Sequence, residues 1–82
     1  MNQKAALLDT LLIAEKHLMP ERVHTSVGLF HIRDMVEQVT EDPDRFSEAK
    51  LGRWLGWAQC AVVAADIGVT LYDMKEINRR HA

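Results

Sequence analysis

Leu51-Gly52-Arg53-Trp54-Leu55-Gly56-Trp57-Ala58-Gln59-Cys60-Ala61-Val62-Val63-Ala64-Ala65 is the stretch that decides the fold. Leu51, Leu55, Ala58, Val62 and Ala65 recur at helical spacing and form one continuous apolar stripe, the expected core of the fold. A second stripe, Gly52, Gly56, Cys60 and Ala64, is small throughout and steps by four. A third holds Lys50, Arg53, Trp54 and Trp57. Beyond Trp54 only Gln59 and Asp66 interrupt the apolar character, so this helix is expected to be buried on more than one side. A short chain can cover one side of it and struggles to surround it. Packing on a symmetry mate is the simplest resolution.

The small stripe fits that expectation. Glycines four apart remove side-chain bulk and let another helix approach closely. Each also costs a helix roughly 1 kcal/mol relative to alanine, which close packing would offset. Gly52, Gly56, Cys60 and Ala64 are therefore the candidate oligomer interface. The alternative is that the two glycines accommodate Trp54, Trp57 or the first helix within one subunit.

Outward from this helix, the rest of the chain also reads as helical. Leu7, Leu11, Ala14 and Leu18, widened by Leu8 and Leu12, predict a first helix over about Gln3–Leu18, ended or kinked by Pro20. A second is expected from Pro20 to about Val39. Its stripe is Leu29, Ile32, Val36 and Val39, preceded by Val23, Val27 and Phe30, and a local break is expected near Ser26 because Thr25, Ser26 and Gly28 are weak helix formers. Thr40–Asp44 is the clearest loop, and the third helix starts between Pro43 and Glu48, with Asp42 or Ser47 as its cap. It is expected to run to about Ile67, with Gly68 as a left-handed stop. Thr70 caps a fourth helix, and Asp73 three residues later resembles a capping box. Leu71, Met74 and Ile77 are its expected inner face. The fold class is all-α: one domain, residues 1–82, a small bundle of three to four helices completed by oligomerisation.

Composition narrows the function. With 82 residues the chain is near the size where one core becomes marginal, and 48% of it is hydrophobic, so part of its apolar surface is expected to meet another chain. The formal charge is −2 with both signs interspersed, which argues against nucleic-acid binding. Cys60 is the single cysteine, so no internal disulfide exists and a reduced, cytoplasmic setting is expected. Asp9 breaks the apolar run a signal peptide would need. Trp54–Val69 is too short to span a membrane.

Candidate chemistry concentrates on the third helix. Arg53 and Trp57 lie four apart on one face, with Lys50 a turn earlier. A guanidinium beside an indole suits a ligand with an anionic part and a flat part, since the cation pairs with phosphate or carboxylate and the ring stacks on a base. The structural alternative packs both tryptophans in the core while Arg53 bridges a surface glutamate. Lys50, Arg53, Trp54, Trp57 and Gln59 are the candidate ligand-binding residues. Gln59, an amide in an apolar run, needs partners in a loop, in a ligand or across an interface. His17, His24 and His31 recur every seven residues, which is the wrong spacing for a zinc helix, so no metal is expected. Glu37 with Glu41, and Asp73 with Glu76, fall short of the paired carboxylates that hold magnesium in all-helical pyrophosphatases. No nucleophile carries a local signature, and Cys60 is expected to be buried and inert. No enzyme and no cofactor are expected.

Arg53-Trp54-Leu55-Gly56-x-x-Gln59, an apolar helix, a turn at Gly68, and then Leu71-x-Asp73-Met74-x-x-x-Asn78 resembles a pattern in small helical proteins of tailed phages and prophages. The resemblance covers Lys50 to Asn78, and those proteins usually carry Gly where this chain has Cys60. It implies a viral setting, in which small non-enzymatic proteins act as host-takeover or anti-defence factors. The expected function is an oligomeric sponge that sequesters a host immune signalling nucleotide in the host cytoplasm. The alternatives are a helical inhibitor of a host protein and a structural or assembly accessory.

Overall fold

The computed structural model describes residues 1–82, and they form four α-helices and no strands: α1 Gln3–Lys16, α2 Leu29–Glu41, α3 Glu48–Ala64 and α4 Leu71–Arg80. Short 3-10 turns at Thr25–Val27 and Pro43–Arg45 lead into α2 and α3. No helix is long and apolar enough to cross a membrane.

The central helix is α1, which packs against each of the other three. Its inner face is Ala6, Leu7, Thr10, Leu11 and Ala14, all buried. Two alanines on that face let neighbours approach, and Leu8 and Leu12 turn partly outward. From α3, Leu51, Leu55, Ala58 and Val62 enter the core, as the apolar stripe requires. The opposite side of α3 remains uncovered. At 18 Å the thinnest dimension is two helix layers at most, leaving no third layer to cover it.

Helix ends follow local chemistry. Asn2 caps α1 by accepting from the Ala5 N–H at 3.1 Å, and Ser47 caps α3 by accepting from the Lys50 N–H at 3.1 Å. Asp42 caps neither turn nor helix with its side chain. At Thr70 the capping box is complete. The Thr70 hydroxyl accepts from the Asp73 N–H at 3.2 Å, and the Asp73 carboxylate accepts from the Thr70 N–H at 2.8 Å. These hydrogen bonds, the backbone one first and the hydroxyl second, hold the Asp73 carboxyl below its usual range.

The second helix departs from expectation. It starts at Leu29, not Pro20, because α1 ends in a Schellman closure that sends the chain elsewhere. The Met19 N–H donates to the Ala14 carbonyl and the Leu18 N–H to the Glu15 carbonyl, both at 3.0 Å. Leu18 sits in the left-handed region at φ 57°, and Met19 drops into the core. Leu18 is thus outside α1 and 84% exposed, and Val23 is 97% exposed on the loop. Within α2 the buried face is Leu29, Ile32, Met35 and Val39, with Val36 half-buried and Phe30 outside. α3 also ends earlier than Ile67. Asp66 takes a left-handed φ of 56° just beyond its cap, while Gly68, at φ 89°, turns the chain into α4.

The two ends of the chain meet. The Asn2 N–H donates to the His81 carbonyl at 2.7 Å, and the His81 ring lies 2.7 Å from the Asp9 carboxylate, with Arg80 at 3.4 Å.

Two measurements check these ends. Leu18→Gly relieves a left-handed backbone at an exposed site and is expected to raise stability in urea by up to about 1 kcal/mol. A loss instead would assign packing value to that side chain. By NMR, the Asp73 carboxyl is expected to titrate below about 3.9, and Thr70→Ala to bring it only part of the way back, because the backbone N–H at position 70 still donates to it. Because the folded state depresses this group, its contribution is full above that pH and is lost as pH falls through the lowered midpoint.

Candidate functional site

On α3, positions 50, 53, 54 and 57 fall on one side by helical periodicity, and α2 lies across from them. His31 and Met35 of α2 join Arg53, Trp54 and Trp57 around an open cavity of about 330 Å³. Lys50 does not line it; its ammonium lies 5.3 Å from the centre of the Trp54 ring and 5.0 Å from that of Phe46. Three of the five expected ligand-binding residues therefore line one cavity, and a fourth touches its Trp54 wall.

Their states differ. Trp54 is half-buried and packs edge-on against Phe46, with ring centres 4.9 Å apart, so it is a wall of the site. Trp57 is 50% exposed. Its indole N–H donates to the Ser26 carbonyl at 2.8 Å, which ties the Thr25–Val27 turn to α3 and fixes the ring's orientation. Arg53 is exposed and makes no hydrogen bond or ion pair through its side chain, whereas Arg33 engages Glu15 and Arg79 engages Glu76. An unpaired guanidinium beside a fixed, half-exposed indole can hold an anion and a flat ring at once.

Gln59 does not join this group. It is buried on the other side of α3, where its amide is fully engaged inside the chain. The Gln59 Nε2 donates to Asn78 Oδ1 at 2.8 Å, and Asn78 Nδ2 donates back to Gln59 Oε1 at 3.1 Å. The Gln59 amide also reaches the Thr10 hydroxyl at 3.3 Å, which in turn donates to the Ala6 carbonyl. The amide that looked available to a ligand is a structural joint between α1, α3 and α4.

The small stripe lies on the uncovered side. Gly52, Gly56, Cys60 and Ala64 are all exposed, so Cys60 is not buried as expected. A Cβ at Gly56 would meet nothing within 4 Å, and one at Gly52 would meet only the Gln3 side chain at 3.7 Å. Neither glycine makes room for a tryptophan.

Sequence reasoning missed two contributors. Met35 lies outside the apolar stripe expected for α2, and the seven-residue spacing of His31 gives it no ligand role. In the structure both line the cavity, while the neighbouring Asp34 accepts from Gln38 at 2.7 Å. Of the carboxylate pairs, Asp73 serves the capping box and Glu76 holds Arg79. No three His, Cys, Asp or Glu residues are placed to hold a metal ion.

Compared with known proteins, the chain matches no family model, no curated protein and no solved structure.

The amide joint is testable by stability. Gln59→Leu strands the Asn78 amide in a half-buried site and is expected to cost about 1–3 kcal/mol. A double-mutant cycle with Asn78→Ala, read by urea unfolding, should give a coupling of at least about 0.5 kcal/mol. Additive losses would deny the exchange of hydrogen bonds.

Proposed function

We propose that the chain is a non-enzymatic binding protein that captures a small ligand with a flat ring and an anionic group, of the signalling-nucleotide class. In the phage setting that the α3–α4 pattern resembles, it acts as a sponge, an oligomer that sequesters a host immune nucleotide in the host cytoplasm. One observation carries this reading: the unpaired Arg53 guanidinium stands beside the half-exposed Trp57 ring at the mouth of a cavity of about 330 Å³. That volume is at the lower end for small-molecule sites, enough for a base with its first phosphate close to the guanidinium. Lys50 adds a second cation close by, over the Trp54 ring. Sequestration asks for binding alone, and an anion partner beside a stacking surface supplies the contacts it needs.

A second reading has its own support. The open apolar groove between α3 and α4, with Leu71 exposed at its rim, suits a helical inhibitor docked on a host protein or an assembly accessory.

Native mass spectrometry on the full chain, with and without a panel of signalling nucleotides, separates the two. The expected result is a gain of one nucleotide mass per site, lost in Arg53→Ala. The variant should keep the helical circular dichroism of the wild type without ligand, because that side chain has no partner within its own chain. Ligand at 100 times its Kd should add about 2.7 kcal/mol to wild-type stability. No mass gain with any nucleotide ends the sponge reading and favours a protein partner.

A further inference from the structure

The outward face of α3 carries features that nothing inside the chain uses. Gly56 sits mid-helix, where glycine costs roughly 1 kcal/mol against alanine, and the space it leaves is empty. Beside it an apolar groove of about 370 Å³ runs between α3 and the first turn of α4, walled by Val63, Leu71 and Met74. Leu71 is 61% exposed there. By helical periodicity Arg53 is the only charged side chain among the residues of this face from Gly52 to Ala64, and it has no partner in the chain.

We infer that a second copy of this chain covers the face, with the two α3 helices packed antiparallel about a two-fold axis. Shape and charge both select this occupant. An axis passing between Gly56 and Cys60 sets Gly56 against the partner's Cys60 and Gly52 against the partner's Ala64. Small residues then meet small residues along about 18 Å of helix. Charge fixes the direction. Arg53 and Ala64 lie on the same edge of the stripe, at nearly equal distances from that axis. The two-fold therefore places each Arg53 beside the last turn of the other α3. That is the negative end of the helix, and the Ala64 and Ala65 carbonyls there accept no backbone hydrogen bond. A parallel pairing would set Arg53 against its own copy. With several N–H donors in its fork, Arg53 can serve this seam and the adjoining cavity together. The pairing gives geometry to the oligomer in the reading above, and it rests on the face alone, not on any ligand.

Sedimentation velocity on the full chain without ligand tests it. The wild type is expected at twice the 9.4 kDa of one chain. Gly56→Leu should sediment as one chain with unchanged helical circular dichroism, since the site is open and leucine is the better helix former. Should that variant lose helicity, Cys60→Leu, at another exposed position of the face, replaces it. A wild type at single-chain mass up to high micromolar concentration overturns the inference. So does a two-chain mass that a folded variant retains. Neither result depends on nucleotide binding, so the ligand reading stands or falls separately.

Discussion

Gln59 and Asn78 exchange two hydrogen bonds across the seam between α3 and α4, and the same Gln59 amide reaches Thr10 on α1. Three helices are registered by this small polar cluster inside an otherwise apolar core. Apolar packing alone tolerates rotation and sliding of short helices, because leucine and alanine surfaces accept many registers. A buried amide pair does not, since a shift that parts the two side chains strands donors and acceptors away from water. The joint fixes which face of α3 turns inward. It thereby also fixes which faces are left for Arg53, Trp57 and the small stripe.

Much of the fold was legible because it depends on local rules. The inward stripe of α3, the Thr70–Asp73 capping box and the Ser47 cap each follow from residues within a turn or two of one another. What escaped prediction was the chain between α1 and α2. There Pro20 suggested a helix start, but the direction of the chain was set just before it, by Leu18 taking a left-handed conformation that sequence rules reserve for glycine. Once that turn is made, the segment runs to a 3-10 turn pinned from a distance by the Trp57 indole. A hydrogen bond across thirty-one positions leaves no periodic trace.

The candidate site was partly legible for the same reason. Lys50, Arg53, Trp54 and Trp57 share a face by spacing alone, and the structure keeps them together. The roles within the group depend on tertiary neighbours. Phe46 claims the edge of Trp54, while Arg53 is left without a counter-ion. Gln59 was misassigned because an amide within an apolar run reads alike whether its partner is a ligand or Asn78, nineteen residues on. The resembled phage pattern contains both Gln59 and Asn78, so that part of the motif marks an architecture and carries little about a ligand.

The meeting of Asn2 with His81, and of His81 and Arg80 with Asp9, gives the molecule a topological property that its helices do not have singly. Short terminal helices ordinarily fray, their outer amides exchanging with solvent long before the body of a domain opens. Here the first turn of α1 and the last residues after α4 hold each other, so neither end is a free end. The clasp couples the two termini into one cooperative unit with the core, and loosening either one loosens the other. It also spans nearly the whole sequence, so it adds contacts of very long separation, the kind whose loop-closure entropy slows folding.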